Sequence, residues 1–299
     1  MAKMHKNELE IDELLVHALL KNQCPHWANL PLKTILSSGT DNALFRLGNE
    51  YVVRLPRIDW ATESINKEYE WIPKIAEFMK TPLSEPVFKG RPDKSYPWSW
   101  IVAKWNEGHN PHYEHENEYE LLAKDLACFL NELHGIGLPK GPSSRRGISL
   151  KERDVETQKA IGELERDIDV SSVTSLWNQL SNTPSWNKEP VWVHGDFLPG
   201  NILVQNNRLS AVIDFSDVGI GDPACDLIIA WSLFKPHSIK IFRNNLEHID
   251  NDTWERGRGW ALSIALIMLP YYKYSNPTLA SLARQMIENV LGGLGAGSK

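Results

Sequence analysis

Residues 191–204 read VWVHGDFLPGNILV. Two apolar runs, VWV and ILV, have the look of short buried strands. The crossing between them carries Asp196 and, five positions later, Asn201. A plain turn needs neither a carboxylate nor a carboxamide there. Further on, residues 205–208 (QNNR) form a hairpin-turn signal, and the returning strand LSAVIDF ends at Asp214–Phe215. A hairpin of that kind returns Asp214 to the side of Asn201. One carboxamide and one carboxylate make an oxygen-rich pair suited to Mg²⁺, which takes few protein oxygens and completes its shell with phosphate and water. Asp196 is then left to orient a hydroxyl nucleophile, and the set is the equipment of phosphoryl transfer. Taken singly, each residue has a plainer reading. His-Gly-Asp can close a strand, and Asn in a turn or Asp at a strand end is commonplace. It is the three together, in this order, that call for chemistry.

Working outward, the chain changes character near WNEGHNP (residues 105–111). Upstream, ELEIDELLVHALLKNQ (8–23) has apolar residues at helical spacing. LKTILSSGTDNALFRLGNEYVVRLP (32–56) reads as an antiparallel meander broken by turn clusters. ATESINKEYEWIPKIAEFM (61–79) is helical, with Pro73 as a kink or a boundary, and PVFKG (86–90) and WSWIVAKW (98–105) are further strands. Downstream, EYELLAKDLACFLNELHGI (118–136) is a strongly periodic helix ending at Gly. SLKERDVETQKAIGELERDI (149–168) reads as one Ser-capped, charge-laced helix. The chain from Pro223 to about Leu291 is mostly helical. The expected organisation is α+β: residues 1–105 as a small antiparallel sheet with a helix on it, and 106–299 as a larger, mainly helical part. No internal repeat or low-complexity tract interrupts it.

Composition fits a soluble globular chain of two lobes. There are 299 residues, 42% hydrophobic and 23% charged, with a formal net charge of −6. That balance argues against nucleic acid or an anionic membrane as partner and leaves room for a cationic small molecule. Cys24, Cys128 and Cys225 are few, odd in number and far apart, which suits a reducing cytoplasm rather than a disulfide framework or zinc site. The start MAKMHKNELEIDELL has no long apolar core of a secretory signal. WALSIALIMLPYY (260–272) is too short to span a bilayer and reads as a buried helix. Of the twelve tryptophans, some belong in a core and others suit the lining of a binding cleft.

The order and offset of Asp196, Asn201 and Asp214-Phe215 match the catalytic Asp, the Asn five residues on and the later metal-binding Asp-Phe of protein kinases. With H-G-D in place of H-R-D, HGDFLPGN and VIDFSDVGIGDPACDLIIAW resemble most closely the aminoglycoside phosphotransferase family of kinase-like small-molecule phosphotransferases. Macrolide phosphotransferases and choline kinases are relatives on the same scaffold. The resemblance implies a bilobal protein-kinase-like fold, ATP or GTP as co-substrate, Asp196 as the base, and Asn201 and Asp214 as Mg²⁺ ligands. It implies that the loop in LSSGTDNALFRL covers the phosphates, through Ser37, Ser38, Gly39, Thr40 and Asn42. This loop holds one Gly where the protein-kinase pattern has three, and alone it reads equally as a polar hairpin turn. Arg54 stands where the family usually has a Lys on the phosphates, with Glu68 as its ion-pair partner. An Arg keeps the charge, but its planar fork is no drop-in for an ammonium; Arg57 is a second candidate. WIVAKWNEG resembles the hinge, with adenine held by backbone groups of Lys104, Trp105 and Asn106, and Trp105 either stacking or packing. His194 and Asp226 are implied to brace the catalytic loop.

The acceptor is less determined. Residues 106–126 hold six acidic residues and one lysine, and HIDNDTWE (248–255) adds more acids. A negative, Trp-containing pocket suits a polyamine sugar, while a solvated helix face explains the same charges. An aminoglycoside is therefore the family-weighted acceptor, with macrolides, amino alcohols and other sugars as alternatives. A second reading is a degenerate, non-catalytic nucleotide-binding protein, supported by Arg54 and the single-Gly loop.

Overall fold

The computed structural model describes residues 8–35, 41–111, 119–138 and 140–293. The chain divides into two compact units, Met1–Gly108 with Ser210–Ser216, and His109–Leu209 with Asp217–Lys299.

In the first unit, helix α1 (Glu13–Gln23) starts at Asp12, whose carboxylate accepts the Leu15 N–H at 2.8 Å. It buries Val16, Leu19 and Leu20, the i, i+3, i+4 stripe of an amphipathic helix. Strands β1 (Leu32–Ile35), β2 (Asn42–Leu47) and β3 (Tyr51–Pro56) form the antiparallel meander. Along β2 buried and half-buried residues alternate, as a strand with one face on a core requires. Helix α2 (Ala61–Ala76) follows, then β4 (Pro86–Gly90) and β5 (Trp100–Lys104), giving a five-stranded sheet of order β1-β2-β3-β5-β4. Pro73 lies inside α2 and marks no boundary, since the helix continues to Ala76. The unit's core gathers Leu19, Phe45, Val53, Leu55, Tyr96 and Trp100 with their neighbours. The buried Tyr96 hydroxyl donates to the Pro56 carbonyl at 2.6 Å.

The second unit is mainly helical. Helix α3 (Glu120–His134) buries Leu122, Leu126, Leu130 and Leu133. The expected single helix over 149–168 is shorter: Ser149 and Glu152 form a capping box over a tight turn, helix α4 runs Asp154–Glu163, and a turn follows. Helix α5 (Val170–Ser181), capped by Asp169, was not expected from the sequence. Strand β6 (Val191–Val193) leads into the 194–201 crossing; β7 (Ile202–Gln205) and β8 (Arg208–Val212) form the hairpin, and the chain passes to the first unit within β8, at Ser210. The hairpin turn places Asn206 and Asn207 at φ 52° and 59°, a region Asn tolerates. Strand β9 (Gly219–Gly221) pairs antiparallel with β6, Trp192 opposite Ile220.

The remainder is α6 (Ile229–Ser232), α7 (Pro236–Asn244), α8 (Asn251–Tyr272) and α9 (Pro277–Leu291). Helix α8 is buried along most of its length, from Thr253 to Leu266, and includes the apolar run at 260–272. Among the described residues no helix is long and apolar enough to cross a membrane. Trp177, Trp192, Trp231, Trp254 and Trp260 are fully buried in this unit, as Trp100 is in the first.

One buried ion pair ties α8 to the segment before α6. Arg256 donates from Nε to Asp222 Oδ2 at 2.7 Å and from Nη2 to Oδ1 at 3.1 Å. It also donates to the Pro184 carbonyl at 2.7 Å and to Thr253 Oγ1 at 3.1 Å, so its fork is well satisfied. Removing the cation strands a buried carboxylate. Arg256→Met is expected to lower the unfolding free energy in urea by about 3–5 kcal/mol; a loss below about 1 kcal/mol would mean that water replaces the pair.

Candidate active site

The 194–201 crossing is fixed from below by one side chain. Asp226, fully buried, accepts the backbone N–H of His194 at 2.9 Å on Oδ2 and that of Gly195 at 2.8 Å on Oδ1. His134 Nε2 lies 3.1 Å from Asp226 Oδ2, and His134 Nδ1 is 2.8 Å from His248 Nε2. Gly195 has φ +81°, and a Cβ there would sit 2.7 Å from the Asp217 carbonyl, so only glycine fits the turn. His194 is buried, and its Nδ1 accepts the Asp196 N–H at 3.1 Å.

Asp196 and Asn201 come together on this frame. Asn201 Nδ2 donates to the Asp196 carbonyl at 2.8 Å and to Asp196 Oδ2 at 3.1 Å. Asn110 steadies the far end by donating to the carbonyls of Gly200 at 2.8 Å and Ile202 at 2.9 Å. Asp196 Oδ1 is ion-paired to Arg146, a residue the sequence reading passed over.

The first unit gathers Arg54, Glu68 and Asp214. Arg54 grips Glu68 through both ends of its fork, Nη1 to Oε2 at 2.6 Å and Nη2 to Oε1 at 3.0 Å, and Nη2 also reaches Asp214 Oδ1 at 3.2 Å. Arg54 is 5% exposed and Glu68 0%, which excludes a solvated cation on a strand edge. Burial pushes the Glu68 carboxyl up to about 7, while Arg54 and the Phe215 N–H pull it down. Burial alone would lower the Arg54 pKa; Glu68 and Asp214 outweigh it and hold the guanidinium charged. Asp214 has φ +58°, a left-handed backbone unusual outside glycine, and such strain collects where a side chain must be aimed.

The remaining sequence candidates fare differently. Ser37, Ser38, Gly39 and Thr40 lie outside the described residues, as do residues 112–118 of the acidic stretch. Asn42 opens β2 opposite Pro56. The N–H groups of Lys104 and Trp105 already donate within the unit, to the carbonyls of Glu85 at 2.9 Å and Glu50 at 2.7 Å. The Lys104 side chain pairs with Glu85, Asn106 donates to the Leu83 carbonyl, and the Trp105 ring lies 3.8 Å under the Arg46 guanidinium. Trp105 thus stacks on protein.

Among the described residues no group of three or more His, Cys, Asp or Glu side chains is arranged to hold a metal. Asn201 donates through Nδ2 to Asp196, its Oδ1 being the acceptor end of the carboxamide, and the Asp214 side chain is 38% exposed. Carboxamide and carboxylate oxygens are each the donor type that a hard cation such as Mg²⁺ takes.

A five-stranded antiparallel sheet carrying a buried Arg–Glu pair, with a helical unit carrying an Asp–Asn loop, defines the kinase-like α+β fold. Solved structures share it. The GDP and kanamycin complex of APH(2'')-IIIa aligns with a TM-score of 0.72 at 17% identity, covering 94% of this chain and 99% of that one. The macrolide 2'-phosphotransferase MphH of Brachybacterium faecium gives 0.62 at 18% identity, covering 94% and 99%. The family model "Phosphotransferase enzyme family" (APH) matches residues 34–260, and the chain belongs to that family. An aminoglycoside 3'-phosphotransferase of Escherichia coli is 23% identical over 193 residues, 62% of this chain and 64% of the relative. The uncharacterized protein YcbJ of Bacillus subtilis (strain 168) is 26% identical over 185 residues, 60% and 56% respectively. The chain thus spans less than two thirds of the length of these relatives.

Two outcomes follow from the buried support of the loop. Asp226→Asn turns an amide NH₂ toward a backbone N–H that needs an acceptor, and should cost about 1–3 kcal/mol in chemical denaturation. His248 is the second: burial, then the neighbouring His134 and Lys188, depress its pKa from 6.5 to about 4. Between those values the unfolded chain takes up a proton that the folded chain resists. This contribution is whole above pH 6.5 and is lost as the pH falls toward 4. Discounted for its partial exposure, the loss is about 1–2 kcal/mol. Melting temperatures from pH 7 to 4 should fall more steeply for the wild type than for His248→Gln; parallel curves would remove His248 as a cause.

Proposed function

We propose that the chain is a small-molecule kinase that moves the γ-phosphate of ATP or GTP to a hydroxyl group. The observation that carries the reading is the Asp196–Asn201 pair: a carboxylate locked to a carboxamide five residues on, on a loop whose backbone is itself held by Asp226. Asp196 takes the acceptor's hydroxyl proton as the oxygen attacks phosphorus. Arg54, kept charged and oriented by Glu68, steers the phosphates. Mg²⁺ on Asn201 and Asp214 would spread the charge of the transferred group. Positioning and electrostatics carry most of such a reaction. Ser37, Ser38, Gly39, Thr40 and Asn42 are assigned to the phosphate-covering loop, and Lys104, Trp105 and Asn106 to the adenine edge. The first unit is then the nucleotide-binding part and the second the part that binds the acceptor.

For the acceptor we favour an aminoglycoside-type polyamine sugar. Family membership, the chain's net charge of −6 and the aminoglycosides of its relatives support it. A macrolide, an amino alcohol or another sugar is the alternative within the same chemistry. A second reading, nucleotide binding without catalysis, draws on Arg54, an Arg in place of the usual Lys that already spends three of its five N–H donors on Glu68 and Asp214.

The test is Mg²⁺-dependent transfer from labelled ATP and GTP to kanamycin, erythromycin and choline. Asp196→Ala and Asp214→Ala are expected to lower turnover by about 10²–10⁴-fold with melting temperatures close to wild type. Wild-type-like turnover in Asp196→Ala would refute the assignment of the base. Nucleotide binding with no transfer to any acceptor or to water would favour the non-catalytic reading.

A further inference from the structure

The loop at residues 142–147 (PSSRRG) carries none of the family-like motifs, yet it is built into the catalytic crossing. Ile220 of β9 donates to the Pro142 carbonyl at 2.8 Å, Ser144 donates back to the Ile220 carbonyl at 3.3 Å, and Asp222 donates to the Gly147 carbonyl at 2.9 Å. The Ser144 hydroxyl accepts the N–H of Arg146 at 3.2 Å and of Gly147 at 3.1 Å. A Cβ on Gly221 would meet the Gly147 carbonyl oxygen at 2.4 Å, so loop and strand are in backbone contact. This is a stiff mount, and Arg146 projects from it.

The Arg146 guanidinium meets three groups. Its Nη1 donates to Asp196 Oδ1 and, at 3.2 Å, to the Gly195 carbonyl; its Nε lies 3.6 Å from Asp217 Oδ2. Asp217, 4% exposed, is held on its other oxygen by Arg145 Nε at 2.5 Å. Burial by itself would lower the Arg146 pKa, but Asp196 and Asp217 raise it, so the cation persists. The chain of contacts runs from Asp217 to Arg146 to Asp196. The two oxygens of Asp196 are thereby distinguished: among the described residues Oδ1 faces a full positive charge and Oδ2 the Asn201 carboxamide at 3.1 Å. An oxygen already bound to a guanidinium is the poorer proton acceptor.

We propose that Arg146 is the positioning residue of Asp196, fixing its carboxylate through Oδ1 so that Oδ2 receives the acceptor's hydroxyl proton. The inference rests on Asp196 being the base. In the step it serves, the acceptor O–H bond breaks and its proton passes to Oδ2, while the new O–P bond forms. The P–O bond to the nucleoside diphosphate breaks, and the diphosphate leaves with that electron pair.

The experiment measures steady-state phosphate transfer from MgATP or MgGTP to the best acceptor of the panel above, or to water. It compares the wild type, Arg146→Met, Arg146→Lys and Asp196→Asn. Arg146→Met should lower kcat by about 100-fold, the cost of a misplaced reacting group, with the nucleotide KM unchanged. Arg146→Lys should recover part of that loss, and millimolar guanidinium should restore turnover to Arg146→Met but not to Asp196→Asn. A wild-type kcat in Arg146→Met overturns the proposal. So does a loss that neither Lys nor guanidinium repairs, which would make Arg146 a structural strut. If Asp196→Asn matches the wild type, or the wild type transfers phosphate to nothing, the kinase reading itself falls, and this one with it.

Discussion

The rest of the second unit's site depends on the buried carboxylate of Asp226. A tight crossing between two strands leaves backbone N–H groups that no ladder can satisfy, and burying them unpaired costs free energy. Asp226 accepts two of them, from His194 and Gly195, directly ahead of Asp196. With Gly195 in a left-handed turn that excludes a side chain, the loop has little freedom left. The polar groups of HGDFLPGN are thus of two kinds. Some hold the loop's shape, and Asp196 is what that shape presents. Asp222, four residues before Asp226, does comparable work by anchoring α8 through Arg256. Both acids belong to the GDPACD stretch, where a short tight helix turns them into the interior.

The first unit solves a different problem. Arg54 lies in the middle of a buried strand, and a guanidinium there is tolerable only with its donors occupied. Glu68 from α2 supplies two acceptors and Asp214 a third. The triad carries more acid than base. In such a setting the desolvated Glu68 is reluctant to ionise fully, which its raised pKa expresses. A polyanionic ligand arriving at Arg54 would compete with carboxylates already in place. An ammonium at the same point would be a compact charge with rotatable donors; the planar fork instead fixes the directions of its partners. The Arg-for-Lys departure seen in the sequence is therefore accompanied by a network of directed contacts to Glu68 and Asp214.

Motifs of local spacing were legible in the sequence. Asp196 to Asn201, the hairpin turn and the sheet-forming meander depend on residues near each other in the chain, and periodicity or turn chemistry exposes them. The pairing of Arg54 with Glu68 came from family resemblance, not from spacing. Arg146 was invisible because PSSRRG reads as an ordinary polar loop; its partners Asp196 and Asp217 are 50 and 71 positions away. Helix α5 did carry a signal, Val173, Trp177 and Leu180 behind an Asp cap, diluted by the serines between them. The single helix expected over 149–168 failed because charge-laced sequence gives no apolar stripe to set its length. That the N–H groups of Lys104 and Trp105 bond to the carbonyls of Glu85 and Glu50 depends on partners 19 and 55 positions away, which spacing does not reveal.

The return of Ser210–Ser216 to the first unit has a topological consequence. The polypeptide passes from one unit to the other three times, at 108–109, 209–210 and 216–217. No single cut yields two intact modules. A fragment ending at Gly108 would lack Val212, which donates to the Pro82 carbonyl at 3.1 Å, Asp214 beside Arg54, and Phe215, whose N–H bonds Glu68. The buried Arg–Glu pair is completed only by residues synthesised some 150 positions later than Glu68. A nascent chain therefore finishes the first unit only after most of the second has been made, and shuffling of the units as separate genetic cassettes is closed to this architecture.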